Sequence, residues 1–231
     1  MSTYILQIDT ATEVCSVSLS LDGQVLDKID ASEPNLHASK LTVFIDQLLQ
    51  KNQISYLDLT AVAVSKGPGS YTGLRIGVST AKGLCYALDI PLLAVNTLES
   101  MFTGYSAYQD LNSGTLYVTM LDARRMEVYM QIWDDKGVLH QDTEAVIIDA
   151  DTFSVFADKR ICLFGSGAGK LKNLFADVSN IVIDENYKHS SAHLSQRAFE
   201  KFSNQEFEDL IYFEPYYLKE FIATTPKANK L

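Results

Sequence analysis

At 231 residues, with 47% hydrophobic, 10% aromatic and 21% charged side chains, the chain has a globular composition. Its length allows one large domain or two small ones, burying roughly 70% of the unfolded surface. The formal charge of −10 is spread along the chain, and no basic cluster exceeds Arg124-Arg125 or Lys170-x-Lys172, which excludes an independent grip on nucleic-acid phosphates. Cys15, Cys85 and Cys162 are far apart and form no CxxC pair, which argues against a disulfide framework or a thiolate zinc site. With no basic leader segment and no apolar run of ~18 residues, the expectation is a reduced, cytoplasmic chain without membrane contact.

Tyr4-Ile5-Leu6-Gln7-Ile8-Asp9 reads as an apolar strand ending in a carboxylate. From Val14 to Leu21 apolar and small polar residues alternate, the period of a half-buried strand. Asp22-Gly23 is a tight-turn pair, and Val25-Leu26 begins the next strand. Leu41, Phe44, Ile45, Leu48 and Leu49 recur on one helical face. A short buried strand (61–64), a Gly/Pro loop, a second helix and the strand Leu92-Leu93-Ala94-Val95 complete a pattern that predicts an α/β layer with a mixed sheet.

The chain then repeats itself. Tyr4, Asp9, Glu13-Val14, Gly23 and Val25-Leu26 have counterparts in Tyr117, Asp122, Glu127-Val128, Gly137 and Val138-Leu139, and the Glu-to-Gly separation is the same in both copies. The fold class read from this is α/β with two duplicated halves, mixed sheets and helices, over residues 1–105 and 106–231, joined within the softer stretch Gly104 to Gly114. Two halves that each open on a strand ending in Asp resemble the actin-like, RNase H-like (ASKHA) fold, where the inter-half cleft holds nucleotide. That resemblance makes Asp9, Thr10 and Thr12 candidates for a phosphate turn, and Gly165, Ser166 and Gly167 for the opposite side of the cleft. Ala11 stands where a glycine would let backbone approach phosphate, so the expected nucleotide site is degenerate, with weak ATP or ADP binding at most.

The most specific segment is Gly67-Pro68-Gly69-Ser70-Tyr71-Thr72-Gly73-Leu74-Arg75-Ile76-Gly77. It is neither a phosphate-binding P-loop nor a dinucleotide fingerprint. Gly67-Pro68-Gly69 turns the chain out of a strand, and Ser70 or Thr72 can cap the helix that follows. Within that helix Gly73, Gly77 and Ala81 form a small-residue stripe. Each helical glycine costs about 1 kcal/mol against alanine, so something is expected to pack close to this backbone, either the chain's own sheet or a partner's helix.

GPGSYTGLRIG, together with Ile8-Asp9-Thr10-Ala11-Thr12, the stretch Asp122 to Tyr129, the Gly165–Gly169 loop and Glu214-Pro215-x-Tyr217-Leu218, resembles the TsaB (YeaZ) family from about residue 3 to 218. The resemblance implies a bacterial protein needed to make threonylcarbamoyladenosine beside the tRNA anticodon, as a non-catalytic member of a complex. It implies pairing with the metal-bearing paralogue TsaD, which transfers the threonylcarbamoyl group, and association with the ATPase TsaE. Contact with tRNA would come only through the complex. TsaD carries an HxxxH metal pair on the helix after its GPG region, and the matching places here are Thr97 and Met101, which offer no imidazole or carboxylate. Neither a metal site nor a catalytic residue is therefore expected.

TsaD pairing through first-half helices makes Gly73, Ile76, Gly77, Thr80, Ala81 and Leu84, with Val43 on the preceding helix, the candidate partner interface. A second copy of the chain is expected there when TsaD is absent. A second HxxxH, His189 to His193, reads as exposed polar residues at a helix start, and Arg124-Arg125 as a solvated turn. An ATP-dependent kinase-like enzyme and a peptidase are the alternatives, the first weakened by the glycine-free turn and the second by the absence of a recognisable triad. Residues 221–231 read as a disordered tail.

Overall fold

In the computed structural model, which describes residues 2–33 and 36–219, the opening alternation becomes an antiparallel meander. It comprises β1 (Tyr4–Asp9), β2 (Cys15–Leu21) and β3 (Gln24–Ala31). Asp22 and Gly23 close the β2–β3 hairpin at φ 49° and 82°, the left-handed pair that a two-residue turn between twisted strands requires. Next come α1 (Leu36–Lys51), β4 (Leu59–Gly67), α2 (Tyr71–Leu88) and β5 (Leu92–Asn96), with β4 parallel to β1 and β5 parallel to β4. The expected tail, 221–231, lies outside the described residues.

After α3 (Thr97–Tyr108), the strands β6 (Thr115–Asp122), β7 (Glu127–Trp133), β8 (Leu139–Ile147), β9 (Arg160–Phe164) and β10 (Ile181–Asp184) repeat the pattern. Among the described residues the sheets run β3-β2-β1-β4-β5 and β8-β7-β6-β9-β10, with the same antiparallel and parallel pairings at matching places. The duplicated α/β halves read from the sequence are the architecture of the protein.

Period-two alternation sorts each strand between two layers. Leu6, Ile8, Val62 and Val64 face the layer that holds Leu41, Ile45 and Leu48 of α1 and Val78 of α2. Ile5, Ala61, Ala63 and Leu93 face the other way, onto Ala198, Phe199 and Phe202 of the last helix, α4 (Ser195–Ser203). In the second half, among the described residues, short 3-10 turns and loops carrying Phe153, Leu171 and Phe175 cover the face that α1 and α2 cover in the first.

Two expectations are corrected here. The stretch from Gly104 to Gly114 is not a soft join from its start, because Gly104 lies inside α3, close enough that a Cβ would meet the His193 ring at 2.2 Å. A division at residue 105 also cuts α3, whose Leu98, Met101 and Phe102 pack with Tyr117, Leu121 and Phe164 of the second half. In return, α4 and the segment with Leu210 and Phe213 pack on the first half. The halves exchange their final helices.

β2 is likewise buried on both faces, not half-buried. The returning chain lies on its serine face, with Ser191 N–H donating to Ser16 Oγ at 2.7 Å and Ser191 Oγ 3.0 Å from Ser18 Oγ. Small hydroxyl side chains let backbone approach closely while satisfying one another.

Candidate functional site

The turn after β1 is built from its own polar atoms. Ala11 N–H donates to Asp9 Oδ1 at 3.0 Å, and Thr10 Oγ1 donates to the Gly73 carbonyl at 2.7 Å. Ser70 N–H donates to the Ala11 carbonyl at 2.7 Å, while Ser70 Oγ accepts from Gly73 N–H and caps α2. The turn is thus filled by the chain itself. A Cβ on Gly69 would stand 2.4 Å from the Ala11 oxygen, one on Gly73 2.0 Å from the Thr10 oxygen, and one on Gly77 2.2 Å from Thr10 Oγ1.

Asp9 is fully buried, and its Oδ2 lies 2.9 Å from Nε2 of His189, whose side chain is 7% exposed. The contact is an ion pair when the imidazole is protonated. Burial alone would raise the Asp9 pKa, but the His189 charge and the Ala11 N–H outweigh it and hold the carboxyl below its ordinary 3.8. Burial likewise opposes the charged form of His189, and the Asp9 carboxylate, helped by Glu13 and Asp30, overrides it and lifts the imidazole above 6.5. Burial and the adjacent His189 cation push His193 down to about 4. Tyr187 Oη bridges them, 3.1 Å from His193 Nδ1 and 3.5 Å from His189 Nδ1. These histidines are buried junction residues, which corrects their reading as exposed. His189 is the residue that sequence reasoning missed; the HxxxH spacing singled it out, but the partner comes from another part of the chain.

The second half keeps the same turn in the open. Arg124 N–H donates to Asp122 Oδ1 at 3.0 Å, as Ala11 does to Asp9, and Asp122 is half exposed and paired with Lys170. Ser166 Oγ accepts from Asp122 N–H at 3.2 Å. Arg124 and Arg125, at φ 75° and 50°, are exposed at the turn.

Between the halves lies a cavity of about 370 Å³, lined among others by Thr12, Glu13, Gly165, Ser166, Asp184 and His189. Of the residues proposed for nucleotide, Thr12, Gly165 and Ser166 line it. Asp9, Thr10 and Gly167 do not; they are buried in the chain's own packing.

A second cavity, of about 620 Å³, opens where β4 and β5 end, against Lys66, Asn96, Asp142, Glu214 and Tyr217. Here two distant motifs meet. Tyr217 packs on Tyr71 with ring centroids 4.7 Å apart, and its hydroxyl accepts from Arg75 Nε at 3.2 Å. Lys82 Nζ donates to the carbonyls of Ile211 and Phe213 at 3.2 and 3.0 Å, fastening the returning segment to α2.

A family model described as TsaD, tRNA N6-adenosine threonylcarbamoyltransferase, matches residues 30–214. The chain is 31% identical over 178 residues to a Bacillus subtilis (strain 168) protein named tRNA threonylcarbamoyladenosine biosynthesis protein TsaB, covering 75% of this chain and 76% of that one. It is 38% identical over 146 residues to the Escherichia coli (strain K12) protein of that name, a match that spans 62% of each. The solved structure of YeaZ from Pseudomonas aeruginosa superposes with a TM-score of 0.71 at 25% identity, over 94% of this chain and all of that one. The chain belongs to the TsaB (YeaZ) family.

For a TsaB-family chain, the small-residue stripe has an internal use. Gly73, Gly77 and Ala81 are buried, the two glycines against Thr10, which corrects their assignment to a partner surface. Ile76, Thr80 and Leu84 are half-buried on the same helix and Val43 is 40% exposed on α1, so these four reach the surface. Thr97 and Met101 are fully buried, and Met101 packs in the α3 core. Among the described residues no group of three or more His, Cys, Asp or Glu side chains is placed to hold a metal ion, and no helix is long and apolar enough to cross a membrane.

Proposed function

We propose that this chain is an accessory, non-catalytic subunit in the formation of threonylcarbamoyladenosine on tRNA, acting by pairing with a TsaD-type transferase. The observation that carries this reading is family membership through relatives named for that biosynthesis. The buried Thr97 and Met101 at the HxxxH places support it. The partner face is the outward side of α1 and α2, with Val43, Ile76, Thr80 and Leu84 as the contact residues. A half-exposed pair of helices with apolar residues between them suits packing against a matching pair. TsaE joins that assembly, and tRNA is held by the assembly and not by this acidic chain alone.

The inter-half cleft does not fit a nucleotide's phosphates. Asp9, the carboxylate that would orient a phosphate-bound cation, is spent on His189, and the turn above it is closed by Gly69 and Ser70. The cleft lining sets Glu13, Asp184 and Glu185 against Lys188 and the Asp9-paired His189, a balance that does not attract phosphate.

The test is reconstitution: co-purification with a TsaD-type partner, then assay of modified tRNA with each chain omitted in turn. Loss of product when this chain alone is left out supports the reading. Full product without it sinks the proposal.

A further inference from the structure

The ion pair between Asp9 and His189 joins two parts of the molecule that no strand pairing connects. Asp9 ends β1 in the first sheet. His189 follows β10 and the second sheet, on the segment that crosses back over β2. One residue beyond Asp9, Thr10 holds the Gly73 carbonyl in the first turn of α2 at 2.7 Å. The sequence of contacts His189–Asp9, Thr10–Gly73 therefore runs from the second half through the β1 turn to the start of α2.

We propose that Asp9 and His189 form a proton-operated clasp, which fastens the second half to the β1 turn and so fixes the N-terminal end of α2. The clasp stands independently of the role proposed above, since its readout is the protection of this chain's own amides. Buried ion pairs add little net stability compared with apolar packing, but removing one charge of the pair is costly. That asymmetry makes such a pair suited to switching when one partner changes protonation.

The carboxylates around His189 favour its charged form over the opposing effect of burial. Asp9 faces it from β1, Glu13 from the following turn and Asp30 from β3. Lys28 of β3 acts on His193 instead, which is held neutral beside Tyr187. The Cys15 thiol on β2 is pushed up to about 11 by burial and then by Asp9, and stays neutral. His189, raised in the closed form, stabilises that form fully below the ordinary 6.5 and loses the contribution as pH rises through its folded value. Asp9, lowered, contributes above 3.8 and loses its part only on acidification. The clasp is shut near pH 6 and loosens above neutrality.

Hydrogen exchange of the full chain, corrected for intrinsic rates and compared at pH 6 and pH 8, tests this. Amides in the segments 9–16, 70–78 and 186–194 are expected to lose protection as pH rises, by at most about tenfold per pH unit for one proton. Amides of β8, the edge strand of the second sheet opposite β10, serve as the internal control. In His189→Gln the same three segments should already be loosened at pH 6 and show no further change at pH 8. If the His189→Gln variant does not fold, Asp9→Asn gives the same comparison. Unchanged protection of the wild-type segments between the two pH values, or retention of the pH dependence in either variant, overturns the proposal.

Discussion

Gly77 in the middle of α2 stands against Thr10 of the β1 turn so closely that a methyl group would lie 2.2 Å from the Thr10 hydroxyl oxygen. That hydroxyl is committed, since it donates to the Gly73 carbonyl. Gly77→Ala therefore forces Thr10 to rotate and surrender a buried hydrogen bond, and Gly77→Val adds overpacking. Both variants are expected to lose about 1–3 kcal/mol in urea unfolding. The cost of Gly77→Ala should shrink in a Thr10→Ala background, because the collision is then gone; equal costs in both backgrounds would contradict this packing.

Gly83, on the same helix, is the internal contrast. Its position is exposed, its φ is not in the left-handed region, and among the described residues nothing lies within 4 Å of where a Cβ would stand. Gly83→Ala should raise stability by about 0.5–1 kcal/mol through helix propensity and reduced freedom of the unfolded chain. A fall in the unfolding midpoint would show that this part of α2 is not helical as described.

The duplicated aspartates should part company when removed. Asp9→Ala leaves His189 buried without its counter-charge, a change expected to cost about 3–5 kcal/mol near pH 6. Asp122→Ala removes a half-exposed carboxylate and its Lys170 contact, worth about 1 kcal/mol or less. Chemical denaturation of the two variants side by side checks the ranking, and comparable losses would refute it.

The same pair shows what was legible in the sequence. Both strand-turn-strand copies, and the aspartate that ends each first strand, follow from local periodicity and turn residues, which act over a few positions. The burial of His189 does not, because it depends on where the chain lies after crossing from β10 back over β2. The serine face of β2 misled for the same reason: its alternation is that of a half-solvated strand, and only the returning Ser190-Ser191 segment buries it. The glycine stripe of α2 signalled a close approach correctly, while leaving open which backbone or side chain came close. That was a tertiary fact, settled by Thr10.

Thiol chemistry gives an independent check on the core. Cys15, Cys85 and Cys162 are free and buried, with Cys15 pushed up to about 11 and Cys85 to about 12 chiefly by burial. The reactive species is the thiolate, so a disulfide exchange reagent at pH 6, where the Asp9–His189 clasp is shut, should label none of them in the native chain and all of them in denaturant. Rapid labelling of Cys15 in the native chain would mean that the β1–β2 junction opens far more readily than its packing suggests.

Separating folding from partner binding requires residues that reach the surface. Val43 on α1 is 40% exposed and Thr80 on α2 half-buried, whereas Gly77 faces Thr10 inside the chain. The double variant Val43→Asp/Thr80→Glu places two like charges on the proposed partner face, where each must be desolvated on association. Its unfolding midpoint should stay close to that of the wild type, since surface substitutions commonly shift stability by only about 0.5 kcal/mol. Affinity for a TsaD-type partner, measured by calorimetry or co-purification, should fall by at least about tenfold, equivalent to some 1.4 kcal/mol. Gly77→Val should show the reverse order, with stability lost first and binding lost only in proportion to the unfolded fraction. Undiminished affinity of the double variant would place the partner on another face of the molecule.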